Sequence, residues 1–260
     1  MSKFNKKLKR YQALFKKINN PFDYLWKKAI GFDNYFEFDI KNFEKIKVQR
    51  QTMGPFRENF FDDIYLSRLP LMKFEKDSIS VIDIGANIGF FSLALLARFP
   101  KARIFAFEPH PYCFEQLHIY KESFDSYNLN IYNKAVGGQN GQLILNTSKT
   151  DGFATMSSIF ENENKQERFE VESVTLESVL EKEKLDMIDI LKMDCEGSEY
   201  PIIYNTPDEV LKNIKSMCIE THQGTKNNEN LHALVTFLEK KKYHVEYVDE
   251  GETGYVWAWK

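Results

Sequence analysis

The stretch VIDIGANIGFF, Val81 to Phe91, constrains this chain more than any other. It begins as a short apolar strand and then sets Asp83, Gly85 and Gly89 in the pattern D-x-G-x-x-x-G. A glycine turn after a strand can hold a nucleotide, or it can be a tight turn and nothing more. The rest of the chain decides between these.

From residue 79 onward, short apolar runs alternate with helical ones, the pattern of an α/β sheet. Strands are expected at Ile79 to Ile84, Arg103 to Phe107, Asn130 to Val136, Gln142 to Asn146, Ile188 to Met193 and Ser216 to Glu220. Helices are expected at Ile88 to Arg98, Pro111 to Ser123 and Asn230 to Lys241, with Pro111 near a helix start where its missing N–H costs little. The tail YHVEYVDEGETGYVWAWK reads as two strands around a turn at Glu250 to Gly254, which makes the sheet mixed. The polar segment Thr147 to Arg168 reads as an excursion over the sheet, where substrate contacts are common.

A dinucleotide turn reads G-x-G-x-x-G, and Gly85-Ala86-Asn87-Ile88-Gly89 lacks its middle glycine. It carries an acid two residues before the first glycine instead. Asp83 suits a ligand whose polar end holds an ammonium, and Glu108, closing the next strand, suits the two hydroxyls of a ribose. Two acids at adjacent strand ends around two glycines describe a site for a nucleoside joined to an amino acid, meaning S-adenosylmethionine. Asp83 taken alone would serve equally as a turn or helix cap.

The segments VIDIGANIGFF, FAFEPHP, NKAVGG and DILKMDCEGSE together resemble the ordered motifs of the FkbM-type methyltransferases, over about Ser80 to Glu220. That resemblance implies a class I, Rossmann-like α/β fold: a mostly parallel seven-stranded sheet with an antiparallel C-terminal strand, here preceded by an N-terminal helical extension. Residues 1–75 form the extension in this reading and 76–260 the methyltransferase domain. The resemblance implies S-adenosyl-L-methionine as cofactor, with Asp83, Gly85, Ala86, Asn87 and Gly89 around its methionine portion and Glu108 on the ribose. It also implies Pro109 and His110 near the adenine edge, with Asn133, Ala135 and Val136 flanking the adenine.

Asp194 closes the apolar strand of DILKMD, beside Asp83 and Glu108 in an open sheet. Burying it alone would be expensive, so it either caps the next helix or works at the site, orienting the sulfonium end or the acceptor hydroxyl. Glu196 and Glu199 read as residues that cap and solvate that helix start. His222, after the fifth strand, is the general-base candidate, since an imidazole with a pKa near 6.5 can take a hydroxyl proton. A plain surface histidine is the alternative. Asp194 and Glu220 also resemble the carboxylate placement of cation-dependent O-methyltransferases, where Mg²⁺ activates the acceptor. The Asp-Asn pair expected there is Glu220-Thr221 here, so no metal is expected. Arg57 in GPFRENFF would fit a carboxylated or phosphorylated acceptor, or serve as a structural ion pair.

The expected activity is O-methylation of a sugar, glycan or related small metabolite. The alternatives are metal-assisted O-methylation of a non-sugar metabolite and a non-catalytic binding module that uses the basic N-terminal helix for a membrane or RNA. Methylation of base amino groups is disfavoured because DCEG stands where those enzymes carry an N/D-P-P-Y/F signature.

The first thirty residues carry nine Lys or Arg against Asp23 alone, a local charge of +8 that leaves −11 for the rest. Phe4, Leu8, Tyr11, Phe15 and Ile18 recur at helical spacing among these lysines. This helix is expected to pack on the main domain or self-associate, with contact to an anionic membrane surface as the alternative. The overall charge of −3 gives no reason to expect nucleic acid. Cys113, Cys195 and Cys218 are widely spaced and read as reduced thiols. With no apolar run long enough to span a membrane and no signal-peptide pattern, a cytoplasmic location is expected.

Overall fold

A computed structural model describes residues 3–31, 33–71, 78–147 and 167–260. The central sheet has the order β11-β12-β10-β9-β3-β4-β5. Its strands are β3 (Ser80–Ile84), β4 (Arg103–Phe107), β5 (Leu129–Tyr132), β9 (Ile188–Met193), β10 (Ile214–His222), β11 (His244–Asp249) and β12 (Thr253–Trp259). Only β12 runs against its neighbours, pairing antiparallel with both β10 and β11. The expected mixed, mostly parallel seven-stranded sheet is therefore present. β9, at the centre, and β3 beside it are buried along nearly their whole length, as strands covered on both faces must be.

The helices α4 (Phe90–Arg98), α5 (Pro111–Ser123), α6 (Leu176–Glu183), α7 (Glu199–Asn205), α8 (Asp208–Lys212) and α9 (Leu231–Lys240) cover the sheet. One core joins Ile82, Leu191 and Met217 to Leu180, Ile203 and Leu234. Another joins Val81, Ile104 and Ile190 to Leu95 and Leu96.

The expected strand Asn130 to Val136 is two strands in different sheets. β5 ends at Tyr132, and β6 (Ala135–Val136) leaves to pair with β8 (Glu167–Val174), itself paired with β7 (Gly141–Thr147). The break falls at Asn133, whose side-chain amide donates to the carbonyls of Glu108 and Pro109 at 2.9 and 3.1 Å. Residues 148–166, most of the expected polar excursion, lie outside the described residues.

The N-terminal segment differs from the helical or irregular extension expected. After α1 (Lys3–Lys17) and α2 (Pro21–Ile30) comes an antiparallel hairpin, β1 (Tyr35–Asp39) and β2 (Lys45–Gln49), and then α3 (Met53–Phe60). YFEFD and KIKVQ alternate apolar and polar, which buries Phe36, Phe38, Ile46 and Val48 on one face. Asn42, at φ +59, takes the left-handed conformation in the turn between them. Phe38 stacks on Phe56 of α3 at 4.4 Å, and this cluster continues into Phe90 and Leu93 of α4.

In α1 the packed face is Tyr11, Leu14 and Ile18, whereas Leu8 and Phe15 are exposed. The stripe expected from Leu8, Tyr11, Phe15 and Ile18 is thus rotated toward Leu14. The side chain of Phe4 lies outside the described residues. The boundary expected at 75/76 falls in 72–77, also outside them. Residues 61–71 bury Tyr65, Leu66, Leu69 and Leu71 on the sheet core, and the Trp257 indole N–H donates to the Tyr65 carbonyl at 2.9 Å.

Candidate active site

The carboxyl ends of β3, β4, β9 and β10 converge, as they must in a parallel sheet, and the crevice beyond them divides into two cavities. One, of about 360 Å³, is lined by Glu108 and Pro109, by Ala135 and Val136 of β6, and by Leu143 and Leu145 of β7. The other, of about 230 Å³, is lined by Asn87, Tyr65, Lys192, Glu220 and Tyr255. Gly85, Asp194 and Glu196 line both. The first is a largely apolar slot with Glu108, Asp194 and Glu196 on its wall, and the second is predominantly polar.

Gly85 has φ +72, and a Cβ there would lie 1.8 Å from the Asp194 carbonyl oxygen. Only a residue without a side chain lets the ends of β3 and β9 meet this closely. Gly89, at φ +93, sits where a Cβ would press to 2.6 Å from Leu117 of α5. Both glycines therefore serve close packing of the turn. Asn87, at φ +51, aims its N–H at Glu108 Oε2, 2.7 Å away. The His110 N–H donates to Glu108 Oε1 at 2.8 Å. These bonds fix the carboxyl group at the cavity wall. Burial pushes Glu108 up to about 7, against the opposing pull of these N–H groups and of Lys192. The His110 ring lies against Phe169 and Tyr112, and burial lowers its pKa, so it is neutral and acts on Glu108 through its backbone.

Asp83 lines neither cavity. It is fully buried, with Oδ2 accepting from the Ser92 hydroxyl at 2.7 Å and Oδ1 3.2 Å from the ammonium of Lys192. Its carboxylate supports the turn from behind and does not reach into either cavity. Lys192 was not singled out from the sequence, although one lysine inside IDILKM was the visible signal. Its ammonium donates to the Gly85 carbonyl at 2.7 Å and lies 3.8 Å from Asp194 Oδ2. Burial lowers the pKa of Lys192, but Asp83 and Asp194 outweigh that and raise it overall, so it stays charged.

Asp194 caps no helix. Its Oδ2 lies 2.8 Å from the Tyr65 hydroxyl, which also lies 2.7 Å from Glu220 Oε2. The Tyr255 hydroxyl donates to Glu220 Oε1 at 3.2 Å. Burial first, and the Asp194 charge second, push Glu220 up to about 7. Tyr65 is pushed far above its usual range by burial and by both carboxylates, so it keeps its single proton. Glu220 therefore exchanges a proton near neutral pH, beside Asp194 and the Tyr65 hydroxyl that the two carboxylates share. Tyr65 and Tyr255 reach this site from distant segments and carry no local motif.

His222 stands beside the site and lines neither cavity. Its Nδ1 lies 3.1 Å from Glu199 Oε1 and its Nε2 3.4 Å from Glu196 Oε2. Burial lowers its pKa, but Glu199, followed by Glu196, overrides this and lifts it to about 9. An imidazole already protonated at neutral pH cannot accept a proton there, so the geometry does not favour the expected general base. Glu199, fully buried, also accepts from the Cys195 and Gly197 N–H groups, both at 3.2 Å. It pins the DCEG loop and is not a solvated helix start. The donor atoms of Asp194, Glu220 and His222 lie within 4.8 Å of one another. The three cysteines are unpaired thiols.

Arg57 lines neither cavity of the site. It lies on a separate cavity beneath α1. Among the described residues, no helix is long and apolar enough to cross a membrane.

The chain is 27% identical over 236 residues to methyltransferase sdnD of Sordaria araneosa, which covers 76% of this chain and 84% of that protein. It is 26% identical over 151 residues to the 2-O-methyltransferase NoeI of Sinorhizobium fredii, covering 53% of this chain and 61% of that one. Among solved structures, methyltransferase FkbM from Methylobacillus flagellatus matches with a TM-score of 0.49 at 16% identity, over 70% of this chain and 44% of that chain. The family model of the methyltransferase FkbM domain matches residues 83–245, more than half of the chain and the span that holds both cavities' strand ends. The chain belongs to the FkbM family of class I, S-adenosylmethionine-dependent methyltransferases.

Proposed function

We propose that this methyltransferase acts on a hydroxyl of a small, uncharged or amine-bearing polyhydroxyl acceptor, a sugar or glycan first among them. The observation that carries the reading is the Tyr65–Asp194–Glu220 cluster, a proton-holding site on the wall of the polar cavity that adjoins the apolar one.

The residues of the apolar cavity fit the donor. Glu108, held from behind by two N–H groups, has acceptor capacity left for a ribose diol, and Val136, Leu143 and Leu145 suit an adenine. Asp194 and Glu196 lie where the two cavities join, suited to the cationic end. S-adenosylmethionine, when bound, supplies an electrophilic methyl group. The chain's part is to hold the acceptor oxygen in line and to take its proton. With its pKa drawn up to about 7, Glu220, beside Asp194, suits that transfer better than His222 does. Tyr65 orients the pair.

Acceptor charge follows from the lining. Glu58, Asp194, Glu196 and Glu220 line the polar cavity, and its lysine, Lys192, is already paired with Asp83. A phosphorylated or carboxylated acceptor meets repulsion there. The name of the relative NoeI, a 2-O-methyltransferase, supports oxygen as the atom methylated.

Metal assistance is the second reading, favoured by the convergence of Asp194, Glu220 and His222. Against it stand the hydroxyls on Glu220 and the two carboxylates on His222. The test is mass spectrometry of carbohydrate extracts from cells with and without the gene, followed by turnover of the identified acceptor with and without chelator. A product lighter by one methylene, ~14 mass units, in the deletion cells supports the reading. No change in any hydroxylated extract opposes it, and a rate lost to chelator and restored by Mg²⁺ moves the mechanism to the metal.

A further inference from the structure

A third cavity, of about 340 Å³, lies between α1, α2 and α3, apart from the two that share Gly85 and Asp194. Its charged lining residues are Lys7, Arg10, Lys28 and Arg57, and no acidic residue lines it among the described residues. Arg10 is spoken for: its guanidinium makes a forked pair with Asp62, at 2.8 Å from Nε to Oδ1, and Glu58 adds to the field on it. Lys7, Lys28 and Arg57 remain. The Arg57 Nε–H donates to the Met53 carbonyl at 2.7 Å, which fixes the guanidinium plane and leaves its terminal nitrogens for another acceptor. The Lys28 ammonium stands 5.6 Å from the Tyr24 ring centre and 6.0 Å from that of Tyr11, so both aromatic rings and the cation belong to one wall.

Cations gathered in a concave site repel one another and concentrate anions. A planar guanidinium beside ammonium groups matches phosphate oxygens in geometry and charge. The aromatic faces of Tyr11 and Tyr24 give a non-polar group something to lie on. The volume stands at the small end of the roughly 300–1,000 Å³ typical of ligand sites, enough for one small organic phosphate. We propose that this cavity binds a phosphate monoester, separately from the methyl-transfer site. Free phosphorylated metabolites and the monoester headgroup of phosphatidic acid share that chemistry. The inference rests on the cavity's own residues and stands whether or not the acceptor reading holds.

Phenyl phosphate, titrated calorimetrically into the full chain, is the probe, with benzyl alcohol as the uncharged control. The site predicts saturable binding of phenyl phosphate alone, weakened at least tenfold in both Lys28→Met and Arg57→Met. Each variant is to show the wild-type circular dichroism and wild-type affinity for S-adenosylhomocysteine, which separates loss of this site from loss of the fold. Lys7→Gln, altering an exposed side chain, gives a third, milder reading in the same direction. Sedimentation with vesicles containing phosphatidic acid separates the two sources. Binding to vesicles that Lys28→Met abolishes identifies a headgroup, and phenyl phosphate binding without vesicle binding identifies a free metabolite. No saturable binding of phenyl phosphate, or equal affinity in wild type and folded variants, overturns the proposal.

Discussion

The ammonium of Lys192 lies 3.2 Å from the carboxylate of Asp83, and the two side chains are 3% and 0% exposed. Removing Lys192 leaves the Asp83 carboxylate buried without a counter-charge. Lys192→Met is expected to cost about 3–5 kcal/mol in urea unfolding, the range typical when one partner of a buried pair is lost. Lys192→Met with Asp83→Leu is expected to recover most of that stability, because the pair's own desolvation cost goes with it. A double variant no more stable than the single one would mean that Lys192 matters for something other than Asp83.

The Tyr65 hydroxyl bonds to Glu220 and so favours its anion. Removing it in Tyr65→Phe raises the pKa of Glu220. The rate of transfer to the identified acceptor is expected to rise with pH through about 7 in the wild type, as Glu220 loses its proton. In Tyr65→Phe the same rise is expected to move to higher pH. Glu220→Gln is expected to lower kcat by about 10²–10³-fold, within the usual contribution of a positioned base. The check is a pH–rate profile for all three proteins, and an unmoved profile in Tyr65→Phe would dissociate Tyr65 from the proton.

His222 sits between Glu199 and Glu196 with its pKa raised to about 9. A histidine whose folded pKa exceeds its unfolded one adds stability that is complete below about 6.5 and lost as pH rises through about 9. With its partial exposure discounted, that contribution is about 1–2 kcal/mol. The urea midpoints of wild type and His222→Gln are therefore expected to differ at pH 6 and converge near pH 10. A His222→Gln variant that is equally stable at pH 6 yet inactive would restore His222 as the base.

Gly85→Ala places a Cβ where the Asp194 carbonyl already lies, at 1.8 Å, on a backbone with positive φ. Neither strand can yield without opening the sheet's centre. Loss of more than 4 kcal/mol, or no soluble folded protein, is expected. Gly197→Ala has positive φ but open space around it and is expected to cost far less.

The sheet was legible because strands and helices announce themselves locally. Arg103 to Phe107, Pro111 to Ser123 and Ile188 to Met193 are bounded by the residues expected, each an apolar run stopped by an acid, a proline or a polar turn. The hairpin at 35–49 is less legible although YFEFD and KIKVQ alternate, because each alternating run is only five residues long and sits among aromatic and lysine residues that also fit a helix. The site was less legible. Glu108 and Asp194 follow from strand ends, but Tyr65 reaches Asp194 across 129 residues of chain and no spacing encodes that. His222 looked like a base because its position was visible and its partners were not. Glu196 and Glu199, which hold it protonated, come from the turn after β9 and the start of α7.

Placement of the methyl donor turns on Glu108. A ribose diol donates to a carboxylate, so the donor-bound state favours the anion, while the free protein holds Glu108 near 7. Calorimetric titration with S-adenosylhomocysteine between pH 6 and 8 is the most direct test. It is expected to give one saturable site, affinity that falls as pH drops below about 7, release of a proton at the lower pH, and loss of at least tenfold in a folded Glu108→Ala variant. Affinity unchanged by Glu108→Ala, or no saturable binding by the folded wild type, would contradict the placement of the methyl donor in this cavity.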